Sequence, residues 1–252
     1  MGQMIGYLRE NRATHGEKLV LKRLRTALPN DFYVYVECPL QDRRTQRFPD
    51  FIIVCNFGVV VLEVKDWVHI VEANKYNAKI RRRDGEITDK RNPVLDAKGY
   101  AELLADALQT IPDLLKDNHK LDVPWGYAAV LPNLHVSVVT QLRTVWGEKY
   151  VLSVSDLQPR LVTKRLKATL PYDRALRRHE IQCIRRVINP TIRVVPEERD
   201  KPAIILDREQ EKIVTKAHLT QDNLIANTSV PVPATLATSA TLPVGTAMYN
   251  TP

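Results

Sequence analysis

The sequence predicts an α/β fold, and three observations carry that expectation. Residues 50–54 (DFIIV) and 59–67 (VVVLEVKDW) are nearly continuous apolar runs on either side of an Asn56-Phe57-Gly58 turn. A strand with one wet face alternates apolar and polar residues, so unbroken runs mark central strands covered on both faces. Residues 14–28 precede these strands and 94–110 follow them, both with apolar residues at helical spacing.

In the first helix Val20, Leu21, Leu24 and Leu28 make the apolar stripe, Lys18, Lys22, Arg23 and Arg25 lie mostly off it, and Pro29 stops it. Residues 32–38 (FYVYVEC) are aromatic and β-branched and read as a strand. Residues 41–47 read as a polar loop. Weaker strands are expected at 69–73 and 78–83, with an Asp84-Gly85 turn. The helix over 94–110 places Leu95, Leu103, Leu104 and Leu108 toward apolar partners. Short strands are expected at 126–131, 135–139 and 149–152. Two basic helices follow, Pro159–Leu170 and Arg174–Ile188. Residues 204–218 read as a strand end running into a helix capped by Asp207. From Asn223 onward there is no charged side chain, and Pro231, Pro233 and Pro243 break any regular element, so a disordered tail is expected. The chain thus divides into 1–155, a basic helical extension over 156–221, and a tail over 222–252.

At 252 residues the chain is long enough for one elaborated domain or two, at roughly 150 residues each. Hydrophobic residues are 44% and charged residues 26%, which excludes collagen-like, fully disordered and disulfide-stapled chains. Cys38, Cys55 and Cys183 are far apart and form no CxxC, so a cysteine-rich zinc site is excluded and a reducing, cytoplasmic compartment is expected. No run of 18 apolar residues suggests a membrane span, and Arg9, Glu10, Arg12, Glu17 and Lys18 interrupt any secretory core. The net charge of +8 is regional: residues 160–201 hold twelve Lys and Arg against five Asp and Glu. Concentrated positive charge suggests a polyanion, most simply nucleic acid, although a solvated face of basic helices has the same composition.

The strand pair over 50–67 carries the chemistry. A symmetric hairpin sets Cys55 against Gly58 or Val54 against Val59, and either choice sets Asp50 against Glu63. Directly opposed residues point to one face with Cβ atoms about 4.5–5.5 Å apart. Two carboxylates that close repel each other, and burial makes this worse, unless a divalent cation lies between them. Lys65 shares that face by the period of two, while Val64 points the other way. Two hard oxygen ligands with an ammonium beside them suit a phosphodiester. Oxygen ligation favours magnesium or manganese over zinc. A salt-bridged cluster of Lys65 with Glu63 or Asp50 is the bland alternative, one that contributes little net stability. Glu17 has two open readings. Thr14-His15-Gly16-Glu17 fits a capping box, and Glu17 also lies on the stripe that faces the sheet, within reach of the site.

Pro49-Asp50 followed by Glu63-Val64-Lys65 resembles the PD-(D/E)XK nuclease signature. Residues 14–110 resemble more closely the nuclease-related domain, NERD. The matching pieces are Gly16-Glu17 on the leading helix, Thr45-Gln46, Phe51 to Val54, Gly58 to Lys65 with Trp67, and Asn92-Pro93 before a helix. Asp96 stands where a glutamine would be expected after Asn-Pro. The resemblance implies a restriction-endonuclease-like mixed central sheet flanked by helices, with a C-terminal helical extension. It implies Asp50 and Glu63 as metal ligands, the Val64 carbonyl as a third, and Lys65 as the catalytic lysine. Residues 171–214 resemble the connector between such a domain and a superfamily-one DNA helicase, and Leu206 to Gln210 resemble the helicase glutamine motif. That implies a helicase as partner or as a missing fused domain. These 252 residues hold no GxxxxGK[ST] loop, so no ATPase activity is expected of them.

Two functions follow as expectations. The first is a magnesium- or manganese-dependent nuclease acting on DNA, with Asp50, Glu63, Lys65 and Glu17 catalytic. Arg81, Arg82, Arg83, Arg177, Arg178, Arg185 and Arg186 would then bind nucleic acid. The second is a non-catalytic nucleic-acid-binding or regulatory module of a larger helicase or kinase fusion. The presence of Asp50, Glu63 and Lys65 together favours the first.

Overall fold

The computed structural model describes residues 1–9, 11–42, 45–82, 84–116, 119–190, 193–196 and 202–205. The chain divides into two compact units, Met1–Thr191 and Ile192–Pro252.

A six-stranded mixed sheet organises the first unit. Its strands are β1 (Gln3–Ile5), β2 (Tyr33–Val36), β5 (Phe51–Cys55), β6 (Gly58–Val64), β10 (Trp125–Val130) and β11 (Val151–Leu152), in that spatial order. β5 is antiparallel to β2 and β6, while β1 with β2, and β6 with β10 and then β11, are parallel pairs. Two small sheets stand apart from this one: the hairpin β3 (Leu40–Asp42) with β4 (Thr45–Arg47), and the meander β7 (His69–Ala73), β8 (Asn77–Arg81) and β9 (Ile87–Arg91). The flanking helices are α1 (His15–Ala27), α2 (Pro93–Leu108), α3 (Val136–Trp146), α4 (Val162–Ala168) and α5 (Arg178–Ile188). The result is the α/β architecture, mixed sheet between helices, that the sequence leads one to expect. In the second unit β12 (Arg193–Pro196) pairs antiparallel with β13 (Pro202–Ile205).

The two apolar runs behave as their composition dictates. Every residue of β5 and β6 is buried. Phe51, Ile53, Cys55, Val60, Leu62 and Val64 pack on one face with Val20 and Leu24 of α1. Ile52, Val54, Val59 and Val61 pack on the other with Leu104 and Leu108 of α2 and Ile184 and Ile188 of α5. Each such side chain, fully buried, contributes about 1.5–3 kcal/mol. Asn56 and Phe57 form the turn between Cys55 and its partner Gly58. Gly58 has φ +145°, and a Cβ there would lie 2.3 Å from the Pro124 carbonyl oxygen, so the start of β6 needs glycine.

Several elements differ from the sequence expectation. Residues 41–47, expected as a loop, hold part of the β3–β4 hairpin, whose polar composition suits a small ladder outside the main sheet. Residues 135–139, expected as a strand, begin α3. The β-branched Val136 and Val138 mimic a strand, but Val139, Leu142 and Trp146 make a buried helical stripe, and the His135 side chain accepts from the Ser137 N–H at the start. The helix expected over Arg174–Ile188 starts only at Arg178. Arg174 is held instead by ion pairs to Asp122 (3.0 Å) and Glu180 (2.6 Å). Residues 159–170 give only the seven-residue α4. The Asp207-capped helix, Gln210 and the uncharged tail lie outside the described residues.

The C-terminal end of β10 and β11 is tied down by a buried ion network. Asp156 accepts from Arg143 (2.7 Å) and from the Ser153 N–H and hydroxyl, and its second oxygen meets Arg165 at 2.8 Å. Burial opposes the charge, but the Ser153 donors and both arginines outweigh it and hold the Asp156 carboxyl below its usual range. Asp156→Ala removes the closest carboxylate from the buried Arg143 guanidinium and leaves it only Glu148 at 3.9 Å. It should cost about 3–5 kcal/mol, read from urea unfolding. A loss below about 1 kcal/mol would show that the network carries no such role.

Candidate active site

The two-residue turn sets the β5–β6 register: Cys55 with Gly58, Val54 with Val59, Ile53 with Val60, Ile52 with Val61 and Phe51 with Leu62. One step further, Asp50 leaves the strand and its Oδ2 accepts the Val64 N–H at 2.6 Å. Glu63 follows Val59 and Val61 on the α2 face by the period of two, and is 6% exposed. The Lys65 Nζ donates to Glu63 Oε1 at 2.5 Å. Glu63 Oε2 is buried with no hydrogen-bond partner. Val64, between the two, is buried on the opposite face, beside the α1 cluster. Asp50, Glu63 and Lys65 are therefore neighbours at one end of the central strand pair.

The electrostatics of this group are strained. Burial, then the neighbouring Glu63 carboxylate, push the Asp50 carboxyl up to about 8, with Glu17 adding to the rise and the Val64 N–H opposing it. Burial also raises Glu63; Lys65 opposes this, while Asp96 and Glu17 reinforce it. For Lys65, burial disfavours the ammonium, but Glu63 and then Asp50 and Asp96 outweigh that, and its pKa is raised. Glu63 thus feels the charges of Glu17 and Asp96 as well as that of Lys65, and Asp50 those of Glu63 and Glu17. An unpartnered buried carboxylate oxygen costs free energy that a cation would recover.

Glu17 takes the capping role that its spacing suggests. It closes the capping box on Thr14, with the Thr14 N–H donating to Glu17 Oε2 at 2.9 Å. Its charge also reaches Asp50 and Glu63. α1 sits close here because of Gly16: a Cβ at that position would lie 2.7 Å from Asp66 Oδ1 and 2.8 Å from Pro132 Cγ. Asp66 is itself held by the Asn133 amide.

Asp96 and Tyr100 join the group from α2, one turn apart. Asp96 acts on Glu63 and Lys65. The Tyr100 hydroxyl is pushed up first by burial and then by Glu63 and Asp96. Sequence reasoning assigns neither to the site, and the acidic residue in place of an expected glutamine is the one signal that points to either. Both line a cleft of about 360 Å3, with Arg47 and Arg91 beside them.

The basic residues are dispersed. Arg177 and Arg178 are exposed at the start of α5. Arg185 lies over the Tyr33 ring, 3.8 Å from its centroid, and donates to the Tyr35 hydroxyl at 3.2 Å. Arg186 is half-buried. Arg81 is exposed on β8, Arg82 pairs with Glu86 at 2.9 Å, and Arg83 lies outside the described residues.

The donor set fits a hard divalent cation that keeps part of its water. Among the described residues no group of three or more His, Cys, Asp or Glu side chains is placed to hold a metal ion, so a cation here would rest on the two carboxylates and its own water. Magnesium is characteristically bound by one or two carboxylates and retains several waters.

The raised Asp50 value fixes a pH dependence for the metal-free protein. Its ordinary value is 3.8 and its folded value about 8. Between the two, the folded state keeps a proton that the unfolded chain has released. Stability therefore falls as pH rises through that window, by at most about 1.4 kcal/mol per unit, and levels off above it. In EDTA, Asp50→Asn should flatten this fall, with Glu63 leaving a residual slope. Urea midpoints that follow pH identically in both proteins would contradict the burial of Asp50.

No curated protein and no solved structure matches the chain. Residues 12–132 match the family model of the nuclease-related domain, NERD. That span contains Glu17, Asp50, Glu63, Lys65, Asp96 and Tyr100. Residues 12–132 of this chain, with the whole carboxylate and lysine cluster inside them, form a nuclease-related domain.

Proposed function

We propose that this domain hydrolyses phosphodiester bonds of nucleic acid, with DNA as substrate, using magnesium or manganese. The observation that carries the reading is the buried, unpartnered Glu63 Oε2 beside the Asp50 carboxyl, with Lys65 bonded to the other Glu63 oxygen. Asp50 and Glu63 would hold the cation, with the Val64 carbonyl as a third ligand. A divalent cation in this position supplies Lewis acidity toward a phosphate oxygen and a water of lowered pKa.

The chain's own groups do the rest. The Asp50–Val64 hydrogen bond fixes the first carboxylate against the β6 backbone. Glu63 orients the Lys65 ammonium. Because its pKa is raised, Lys65 stays charged at neutral pH and acts by stabilising negative charge that develops on the phosphorane, not as a general base. Glu17 keeps its helix cap and shapes the site through its charge. Arg177, Arg178 and Arg81 are exposed cations suited to phosphate contacts, with Arg82, Arg83, Arg185 and Arg186 as secondary candidates. None of the three cysteines is in a disulfide, which agrees with a cytoplasmic setting. Among the described residues no helix is long and apolar enough to cross a membrane. The resemblance of Leu206 to Gln210 to a helicase motif adds a helicase, as partner or fused domain, to this reading.

Glu63→Ala should abolish cleavage of single- and double-stranded DNA in magnesium or manganese while leaving DNA binding in EDTA largely intact. Lys65→Ala should lower the rate by about 100- to 1,000-fold and leave cation binding measurable by calorimetry. Wild-type cleavage by Glu63→Ala at saturating magnesium would overturn the site.

The contribution of α5 is read from salt dependence. Arg177→Ala with Arg178→Ala should lower the log–log salt slope of duplex binding by about 0.9 for each phosphate no longer neutralised, with no change in cation affinity. An unchanged slope would make these arginines a solvated face only.

A further inference from the structure

α1 has a second surface that plays no part in the chemistry above. Lys18, Leu21, Lys22 and Arg25 are spaced three and four residues apart and share one flank of the helix. That flank forms one wall of a groove of about 560 Å3, whose other wall is the chain around and after β1, with Met4, Tyr7 and Leu8. The floor is apolar: Leu8 is buried, and Met4 and Leu21 are half-buried against the core. The rim is cationic. Lys18, Lys22 and Arg25 are exposed, and none of them makes an ion pair among the described residues. Among the described residues no carboxylate lines the groove. Tyr7 stands at its edge, 81% exposed, the most exposed large apolar side chain among the described residues.

These features define one chemistry. At 1.5 Å per residue the three cations are spaced by about 6 and 4.5 Å along the helix, a row that matches a chain of phosphates. The apolar floor and the open tyrosine ring match flat, uncharged faces. A duplex offers phosphates but hides its bases, whereas a single strand offers both. A lipid surface is the poorer match, because a helix that lies on a membrane turns its apolar face outward. The apolar face of α1, with Val20 and Leu24, is buried in the core. The groove also starts at the right place: Lys18 follows Glu17, whose charge acts on Asp50.

We infer that this groove binds a single strand of nucleic acid, with phosphates on Lys18, Lys22 and Arg25 and a base on Tyr7, and leads it to the Asp50–Glu63 centre. The destination rests on the nuclease reading; the binding does not. The substrate acted on is then a strand with an unpaired segment.

The test uses the full chain in EDTA, with fluorescence anisotropy of a labelled oligothymidylate and of a duplex of equal length. Lys18→Ala, Lys22→Ala and Arg25→Ala together should lower the single-strand salt slope by about 2, from three phosphates at about 0.7 each. Tyr7→Ala should weaken single-strand binding by about tenfold or more at an unchanged slope, and Tyr7→Phe should restore it. Both effects should be smaller for the duplex. Glu63→Ala should leave them intact, so its cleavage assay reports separately on the nuclease reading. An unchanged single-strand slope in the triple variant would overturn the inference. So would an equal loss for duplex and single strand, or a loss confined to binding of phosphatidylserine vesicles.

Discussion

The Cys55–Gly58 pairing governs what happens at the other end of β5 and β6. Side chains alternate faces along a strand, so a slip of one residue would move Glu63 into the α1 cluster and bring Val64 to the α2 face. The slip is resisted by five pairs of buried apolar residues and by the close approach of Gly58 to Pro124. A turn with no chemistry of its own thus determines that a carboxylate, a second carboxylate and an ammonium share one end of the sheet.

The cluster itself works against the fold. Glu63 is buried among valines, and one of its oxygens lacks a donor. Asp50 sits near enough to Glu63 for that neighbouring charge to add to the rise that burial gives its own carboxyl. Charges arranged in this way persist because the strands on which they sit are over-determined by apolar packing on both faces. The buried Asp156 network offers a contrast. There every oxygen has partners and the carboxyl is pulled below its usual range, as expected of a group whose role is structural. The two buried carboxylate groups thus differ in kind: one has an oxygen without a donor and is raised, the other is fully partnered and lowered.

The central strands and the carboxylate pair were legible in the sequence because both rest on local rules: unbroken apolar runs, a short turn and a period of two. What was illegible depends on tertiary neighbours. Asp96 and Tyr100 reach the cluster only because α2 packs on the face that carries Glu63, and in their own segment only the aspartate in place of an expected glutamine points to it. Arg174 reads as a basic helical residue, but Asp122 and Glu180 hold it in place ahead of the helix. Val136 and Val138 suggested a strand because β-branching is a weaker signal than the buried stripe of Val139, Leu142 and Trp146. The exposed groove on α1 was visible only as lysines and an arginine off the apolar stripe. Its aromatic edge is supplied by Tyr7, which no periodicity links to α1.

Gly16 has a consequence for the whole of α1. A helix is a rigid rod, so its residues cannot adjust to an obstruction one by one. A methyl group at position 16 would press on Asp66 and on the stiff Pro132 ring, and the rod would have to back away as a unit. Glu17 would then retreat from Asp50, and Lys18, Lys22 and Arg25 would move with it by the same amount. One missing side chain therefore acts as the gauge block of the domain, setting the gap between the carboxylate cluster and the cationic row through its approach to Asp66 and Pro132.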